Sequence, residues 1–157
     1  MRIVIAAIGR GRKEAPETTL TNEYVQRIAG LGASIGIGPM EVRELEDRPA
    51  GRQQREGDLL LAQIGNGALS VALDGTGRSF TSEAFAKWLA AKRDEGCREI
   101  VFLIGGADGL AEKVRQQANL QLSLGAMTWP HMLARAMLSE QIYRAVTILA
   151  NHPYHRG

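Results

Sequence analysis

The chain has 157 residues, 45% of them hydrophobic and 23% charged, and its 19 Lys and Arg against 17 Asp and Glu leave a formal charge of +2. That length matches a single domain, residues 1–157, with a core of its own, and the composition excludes a disordered or collagen-like chain. A charge so close to balance excludes a protein that coats nucleic acid by bulk electrostatics, so any contact with RNA or DNA must be local.

Ile3 to Ile8 is an apolar, partly β-branched run ended by Gly9, which reads as a strand buried on both faces. After the polar loop Gly9 to Ala15, Pro16 and Glu17 suit a helix start, and Gly30-Leu31-Gly32 supplies a glycine cap at its end. Residues 33–39 are Gly-rich and Met40 to Leu45 alternate weakly as a strand. The Arg-rich stretch Arg48 to Arg55 then leads into a helix ending at Gly65-Asn66-Gly67. Leu69 to Leu73 reads as a strand, Asp74-Gly75-Thr76-Gly77 as a turn, and Ser82 as the cap of a helix reaching Gly96. Ile100 to Ile104 is another doubly buried strand, followed by Gly105-Gly106-Ala107-Asp108-Gly109 and a short helix from Leu110 to Ala118. Leu120 to Leu124 is the last strand, and Gly125-Ala126-Met127-Thr128-Trp129-Pro130 joins it to a long helix from His131 to Ala150. This alternation predicts an α/β fold with a mostly parallel sheet flanked by helices.

The long helix carries an apolar stripe at Ala134, Leu138, Ile142, Ala145 and Leu149, while Met137, Tyr143, Val146 and Ile148 occupy other faces. One face cannot bury them all. The pattern therefore predicts a second packing surface, most simply a homodimer contact.

Three turns, at 74–77, 105–109 and 125–130, follow the carboxyl ends of predicted strands. Ligands bind at that edge of open α/β sheets, because loops converge there and helix N-termini point outward. The three turns form one pocket or are ordinary tight connections. Nucleotide motifs do not decide between these. Gly9-Arg10-Gly11 meets Glu14, and Gly75-Thr76-Gly77 meets Phe80, where a dinucleotide fingerprint needs its third glycine; no P-loop pattern occurs. Gly32-Ala33-Ser34-Ile35-Gly36 matches a serine-hydrolase elbow but follows a helix instead of a strand.

Cys97 is the only cysteine, which excludes an intrachain disulfide and any multi-cysteine metal or iron–sulfur site. His152 and His155 flank Pro153 without carboxylate or thiol partners, so no metal site is expected. No apolar run is long enough for a membrane span, and Arg10, Arg12, Lys13 and Glu14 interrupt the N-terminus before a signal peptide could form; the expectation is a soluble, cytoplasmic protein. Arg10, Arg12 and Lys13, and the cluster Arg48, Arg52 and Arg55, are either phosphate contacts or solvated surface. Asn151-His152-Pro153-Tyr154-His155-Arg156 concentrates hydrogen-bonding, stacking and cationic groups, and is either a solvated tail or a segment that touches an RNA base or phosphate.

Phe102-Leu103-Ile104-Gly105-Gly106-Ala107-Asp108-Gly109-Leu110 and Met127-Thr128-Trp129-Pro130-His131 resemble the bacterial ribosomal RNA large-subunit methyltransferase H family, within the SPOUT superfamily. Ser139-Glu140-Gln141-Ile142-Tyr143-Arg144-Ala145 and Asn151 to Arg156 resemble the same family's ending. The resemblance implies a SPOUT-type fold with a C-terminal trefoil knot, a homodimer, and S-adenosylmethionine-dependent methylation of N3 of a pseudouridine. The substrate it implies is a hairpin loop of 23S ribosomal RNA, in the large subunit or the assembled ribosome. By the same resemblance the cofactor lies against Leu73, Gly105, Leu124, Gly125, Ala126, Met127, Thr128 and Trp129, where glycine allows close backbone approach and Gly105→Val would intrude on the cofactor. Tyr154 and His155 are implied to orient or deprotonate the base and Arg156 to hold phosphate, with Tyr143 and Arg144 supporting the dimer-side wall. Relatives often carry a serine near Gly125 and Ala126, so this chain has fewer side-chain donors there. The competing readings are a noncatalytic RNA-binding module and a nicotinamide-dependent oxidoreductase, the latter lacking its fingerprint.

Overall fold

The computed structural model describes residues 1–46 and 52–156. They form β1 (Arg2–Ile8), α1 (Pro16–Gly32), β2 (Met40–Leu45), α2 (Arg52–Leu61), β3 (Leu69–Ser79), α3 (Ser82–Asp94), β4 (Glu99–Ile104), α4 (Glu112–Gln117), β5 (Leu120–Ser123) and α5 (His131–Leu149). The strands make one sheet in the order β2-β1-β4-β3-β5, with every pairing parallel, as the alternation predicts.

β1 has no polar residue between Ile3 and Ile8 because it lies between β2 and β4 with helices on both faces. Its side chains alternate between two cores. Ile3, Ile5 and Ala7 pack with Ile28 of α1, Leu89 of α3 and Leu138 of α5. Val4, Ala6 and Ile8 pack with Leu60 of α2 and Val114 of α4. The result is three layers, with α1, α3 and α5 on one side and α2 and α4 on the other.

Several local expectations are corrected. The glycines at 30–32 do not cap α1: the helix runs through Gly32 into a 3-10 turn at Ala33–Ile35, and Gly36, at φ 70°, reverses the chain. Gly32 instead admits the Ile37 carbonyl oxygen, which would stand 2.0 Å from any Cβ there. Thr81, not Ser82, caps α3, its Oγ1 accepting from Ala84 N at 3.1 Å; Ser82 Oγ donates to Gln141 Oε1 of α5 at 2.8 Å. α2 opens at Arg52 and ends at Leu61, and Arg48 lies outside the described residues. α4 is shorter than expected at both ends, and β5 stops at Ser123, so Leu124 already belongs to the turn.

The largest correction concerns β3. Asp74-Gly75-Thr76-Gly77 does not end the strand, which continues to Ser79; against β5, Leu73 and Arg78 both stand opposite Leu122, so residues 74–77 form a bulge. A bulge and a turn draw on the same small and polar residues, which is why composition does not separate them. Gly77 meets the need directly: a Cβ there would sit 2.6 Å from the Gln121 carbonyl carbon.

The breadth of apolar surface on α5 also has an explanation within one chain. α1 and α3 flank it in the same layer, so Tyr143 and Val146 are buried beside Leu138 and Ile142. Two of the four off-stripe residues are thus buried within one chain, while Met137 stays half-buried and lines a groove on the surface. Among the described residues no helix is long and apolar enough to cross a membrane.

Candidate active site

Because β4, β3 and β5 are neighbours and parallel, their carboxyl ends open side by side. A cavity of about 430 Å³ occupies that edge. Leu73, Gly105 and the run Leu124, Gly125, Ala126, Met127, Thr128 and Trp129 all line it, so the structure brings all eight expected residues together from three separate segments. Asp74 and Thr76 line it from the turn at 74–77, and four further lining residues lie outside the expected turns: Ile104 of β4, Leu110, and His131 and Ala134 of α5. Met127 and Trp129 stand at the rim, 73% and 38% exposed.

The bulge of β3 is held by Asp74, whose Oδ1 accepts from Thr76 N at 2.9 Å and Thr76 Oγ1 at 2.6 Å, while Arg115 Nη1 lies 3.3 Å from Oδ2. Burial pushes the Asp74 carboxyl up, but the Thr76 hydrogen bonds together with Arg115 outweigh it and hold the pKa below the ordinary aspartate value. The bulge is tied to β5 by Ser123, which is buried. Its Oγ accepts from Gly125 N at 3.1 Å and lies 3.1 Å from the carbonyl oxygens of both Gly75 and Gly125, donating to one at a time. No motif marks Ser123; only the strand pairing gives it this role.

The loop after β4 closes on itself. A Cβ on Gly105 would sit 2.7 Å from the backbone of Gly109 and 3.0 Å from Leu110 N. This corrects the expected effect of Gly105→Val: the added carbons meet the loop's own backbone before they meet any ligand. Gly109, at φ 73°, and Gly125, at φ 118°, also line the cavity in conformations strained for other residues.

Tyr154, His155 and Arg156 do not line this cavity. Tyr154 packs edge-on against Tyr143, with centroids 4.8 Å apart, and its hydroxyl donates to Glu140 Oε1 at 3.0 Å. Arg144 lies over the Tyr154 ring, binds Glu140 Oε1 through Nε at 2.9 Å, and stands 3.3 Å from His155 Nδ1. His155 Nε2 is 2.9 Å from Glu83 Oε1. Arg156 is exposed. Burial, then hydrogen bonding with Tyr24 and Glu140, pushes the Tyr154 phenol far above its ordinary pKa, so it keeps its proton at neutral pH. Glu140, which holds Tyr154, lies about 14 Å along α5 from the cavity residue His131 at the usual helical rise.

An apolar groove of about 530 Å³ runs between the two places. It shares Leu124 and Gly125 with the cavity and reaches Tyr24 and Glu140 beneath the tail, with Leu20, 42% exposed, on its flank. On the other side of the cavity, Gly9 adjoins His131, whose Nε2 would stand 3.4 Å from a Cβ at Gly9. The loop that Gly9 begins is pinned by the buried Arg135, which donates to Gly9 O at 3.1 Å, and by Glu44, which accepts from Gly11 N; Arg10, Arg12 and Lys13 remain exposed. Ser34 is not poised as a nucleophile: its Oγ donates to Leu31 O at 2.8 Å. Cys97, half-buried, bonds to the Glu99 carbonyl.

The family model described as "Predicted SPOUT methyltransferase" matches residues 1–155. The chain is 49% identical over 156 residues to the ribosomal RNA large subunit methyltransferase H of Dinoroseobacter shibae, covering 99% of both chains. It is 50% identical to the protein of that name from Phenylobacterium zucineum, again over 99% of both, and 51% identical to that of Rhodospirillum centenum over the whole of both.

Proposed function

The chain belongs to the SPOUT methyltransferase family, and from that premise we propose that it uses S-adenosylmethionine to methylate N3 of a pseudouridine in a hairpin loop of 23S ribosomal RNA. The observation that carries the reading is the convergence of Leu73, Gly105 and Leu124 to Trp129 on one cavity at the carboxyl edge of the sheet. The residues present suit this cofactor. Ile104, Leu73 and Leu124 offer apolar surface for an adenine ring, and the glycine-rich turns expose peptide N–H and C=O groups.

When bound, S-adenosylmethionine supplies a methyl group on an electrophilic sulfonium. The chain's own contribution would be orientation: the three turns would hold the methyl donor, and the base would be presented to it with N3 foremost. Such positioning is worth on the order of 7 to 11 kcal/mol in favourable systems. The N3 proton must leave as the new bond forms. In this reading His155 takes or relays it, Tyr154, whose one proton is held by Glu140, orients the base through its ring and phenol oxygen, and Arg156 holds phosphate.

A tail that lies away from its own cavity reaches one in a homodimer. The apolar groove between them is the surface for the second copy, and the arrangement sets the tail of one chain over the cavity of its partner. The basic loop Arg10 to Lys13, beside His131, faces the RNA backbone. The knotted C-terminal half and a cytoplasmic location, where ribosomes are, complete the reading.

The test is transfer of labelled methyl from S-adenosylmethionine to free 23S RNA, the large subunit and the assembled ribosome. The reading expects label on N3 of a pseudouridine in at least one of the three. Binding of RNA without transfer to any would leave a noncatalytic module.

A further inference from the structure

The loop after β4 has two sides. Residues 105–110 turn back through Gly106 and Gly109, which form an antiparallel bridge with Gly109 N donating to Gly106 O at 3.1 Å. One side lines the cavity through Gly105, Gly106, Ala107, Gly109 and Leu110. The other rests on the first turn of α2. Gln53 Nε2 donates to Asp108 O at 2.9 Å and to Leu110 O at 3.3 Å, so one amide group bridges two carbonyls of the loop. Glu56, 2% exposed, lies behind Gly106, where an added Cβ would come within 3.1 Å of its Oε1. Arg52 stands 3.4 Å from the Glu56 carboxylate and 3.9 Å from that of Asp108. Gly57 lets α2 come close to Ala111 and Lys113, where a Cβ would sit 3.0 and 2.8 Å away. Neither Gln53 nor Glu56 lines the cavity.

A Gly-Gly-Ala-Asp-Gly loop has little conformational preference of its own, and holding it in one shape costs backbone entropy. Burying a carboxylate beside it carries a desolvation cost that an apolar side chain would not. Both costs are intelligible if this loop has to present a fixed wall. We infer that Gln53 and Glu56 are positioning residues for the cofactor: they set the shape of the loop that receives it without touching it. This rests on the cavity being the S-adenosylmethionine site, and it gives α2 a part in shaping it. A preformed wall raises affinity by removing the ordering cost at the moment of binding.

The experiment is calorimetric titration of the intact protein with S-adenosylhomocysteine, with melting temperature recorded in the absence of ligand and KM determined for both substrates. Gln53→Glu keeps the side-chain length but turns oxygen toward two carbonyls, and is expected to weaken binding by about tenfold or more. Gln53→Met and Glu56→Ala, which remove the contacts without adding a charge, are expected to weaken it several-fold. In all three, KM for S-adenosylmethionine rises while KM for RNA holds, and the loss of affinity exceeds what the lowered ligand-free melting temperature accounts for as unfolded protein. Variants that bind like wild type overturn the inference, as do losses that merely follow the fraction unfolded or that raise both KM values together. If wild type itself takes up no S-adenosylhomocysteine, it is the cavity assignment that fails.

Discussion

The hydroxyl of Ser123 lies 3.1 Å from the carbonyl oxygen of Gly75 and joins the bulge of β3 to the end of β5. Two of the three walls of the cavity are therefore held in register by one buried side chain. Ser123→Ala removes the hydroxyl's bonds with the backbone at 75 and 125. Each net hydrogen bond of this kind contributes about 0.5 to 1.5 kcal/mol, and denaturant unfolding should show a loss of that order. Affinity for S-adenosylhomocysteine should fall with it. A destabilised variant with undiminished affinity would mean that the two walls need not be fastened together.

Asp74 gives a pH dependence with a definite sign. Its folded pKa lies below the unfolded value, so its contribution to stability is complete above the ordinary aspartate pKa of about 3.9 and is lost as pH falls through the lower folded value. Wild type should be more stable than Asp74→Asn at pH 6, and the two melting temperatures should converge as the solution is acidified below about pH 4. A gap that persists unchanged in acid would show that the Asp74 charge does not hold the bulge.

Gly75 and Gly105 separate room for a ligand from room for the chain. A Cβ on Gly75 meets nothing within 4 Å, whereas one on Gly105 meets the Gly109 backbone at 2.7 Å. Gly75→Ala should therefore leave the melting temperature unchanged, and any fall in S-adenosylhomocysteine affinity then reports a ligand against residue 75. Gly105→Ala should lower both. Equal melting temperatures for the two variants would contradict the closure of the loop on itself.

Tyr154 is held as a neutral phenol by burial and by Tyr24 and Glu140. Tyr154→Phe should lower methyl transfer while leaving the limbs of the pH–rate profile in place, because a group that stays protonated across the working range contributes no limb. Disappearance of the alkaline or acid limb in that variant would make Tyr154 the proton acceptor after all.

Much of this architecture is legible in the residues themselves. The runs at 3–8 and 100–104 are uniformly apolar because β1 and β4 are interior strands, and that pattern survives any detail of packing. The three turns are legible as candidates because turns after parallel strands open at one edge, whereas the eight individual cavity residues are legible only through the resemblance to a known family. What is hidden depends on partners distant in the chain. Asp74 to Gly77 has the composition of a turn and becomes a bulge only through its register against Leu122. Ser123 and Gln53 are unremarkable polar residues until the fold sets them against Gly75 and Asp108. How much of the α5 stripe packs within the chain is hidden in the sequence, because it does not reveal that α1 and α3 stand on either side of that helix.

The most direct measurement is a crystal structure of the protein with S-adenosylhomocysteine. The account predicts the ligand between Leu73, Gly105 and the segment from Leu124 to Trp129, with the tail of a second chain above it. Ligand lodged in the groove beside Tyr24 and Glu140, or anywhere else with those three turns empty, would contradict it.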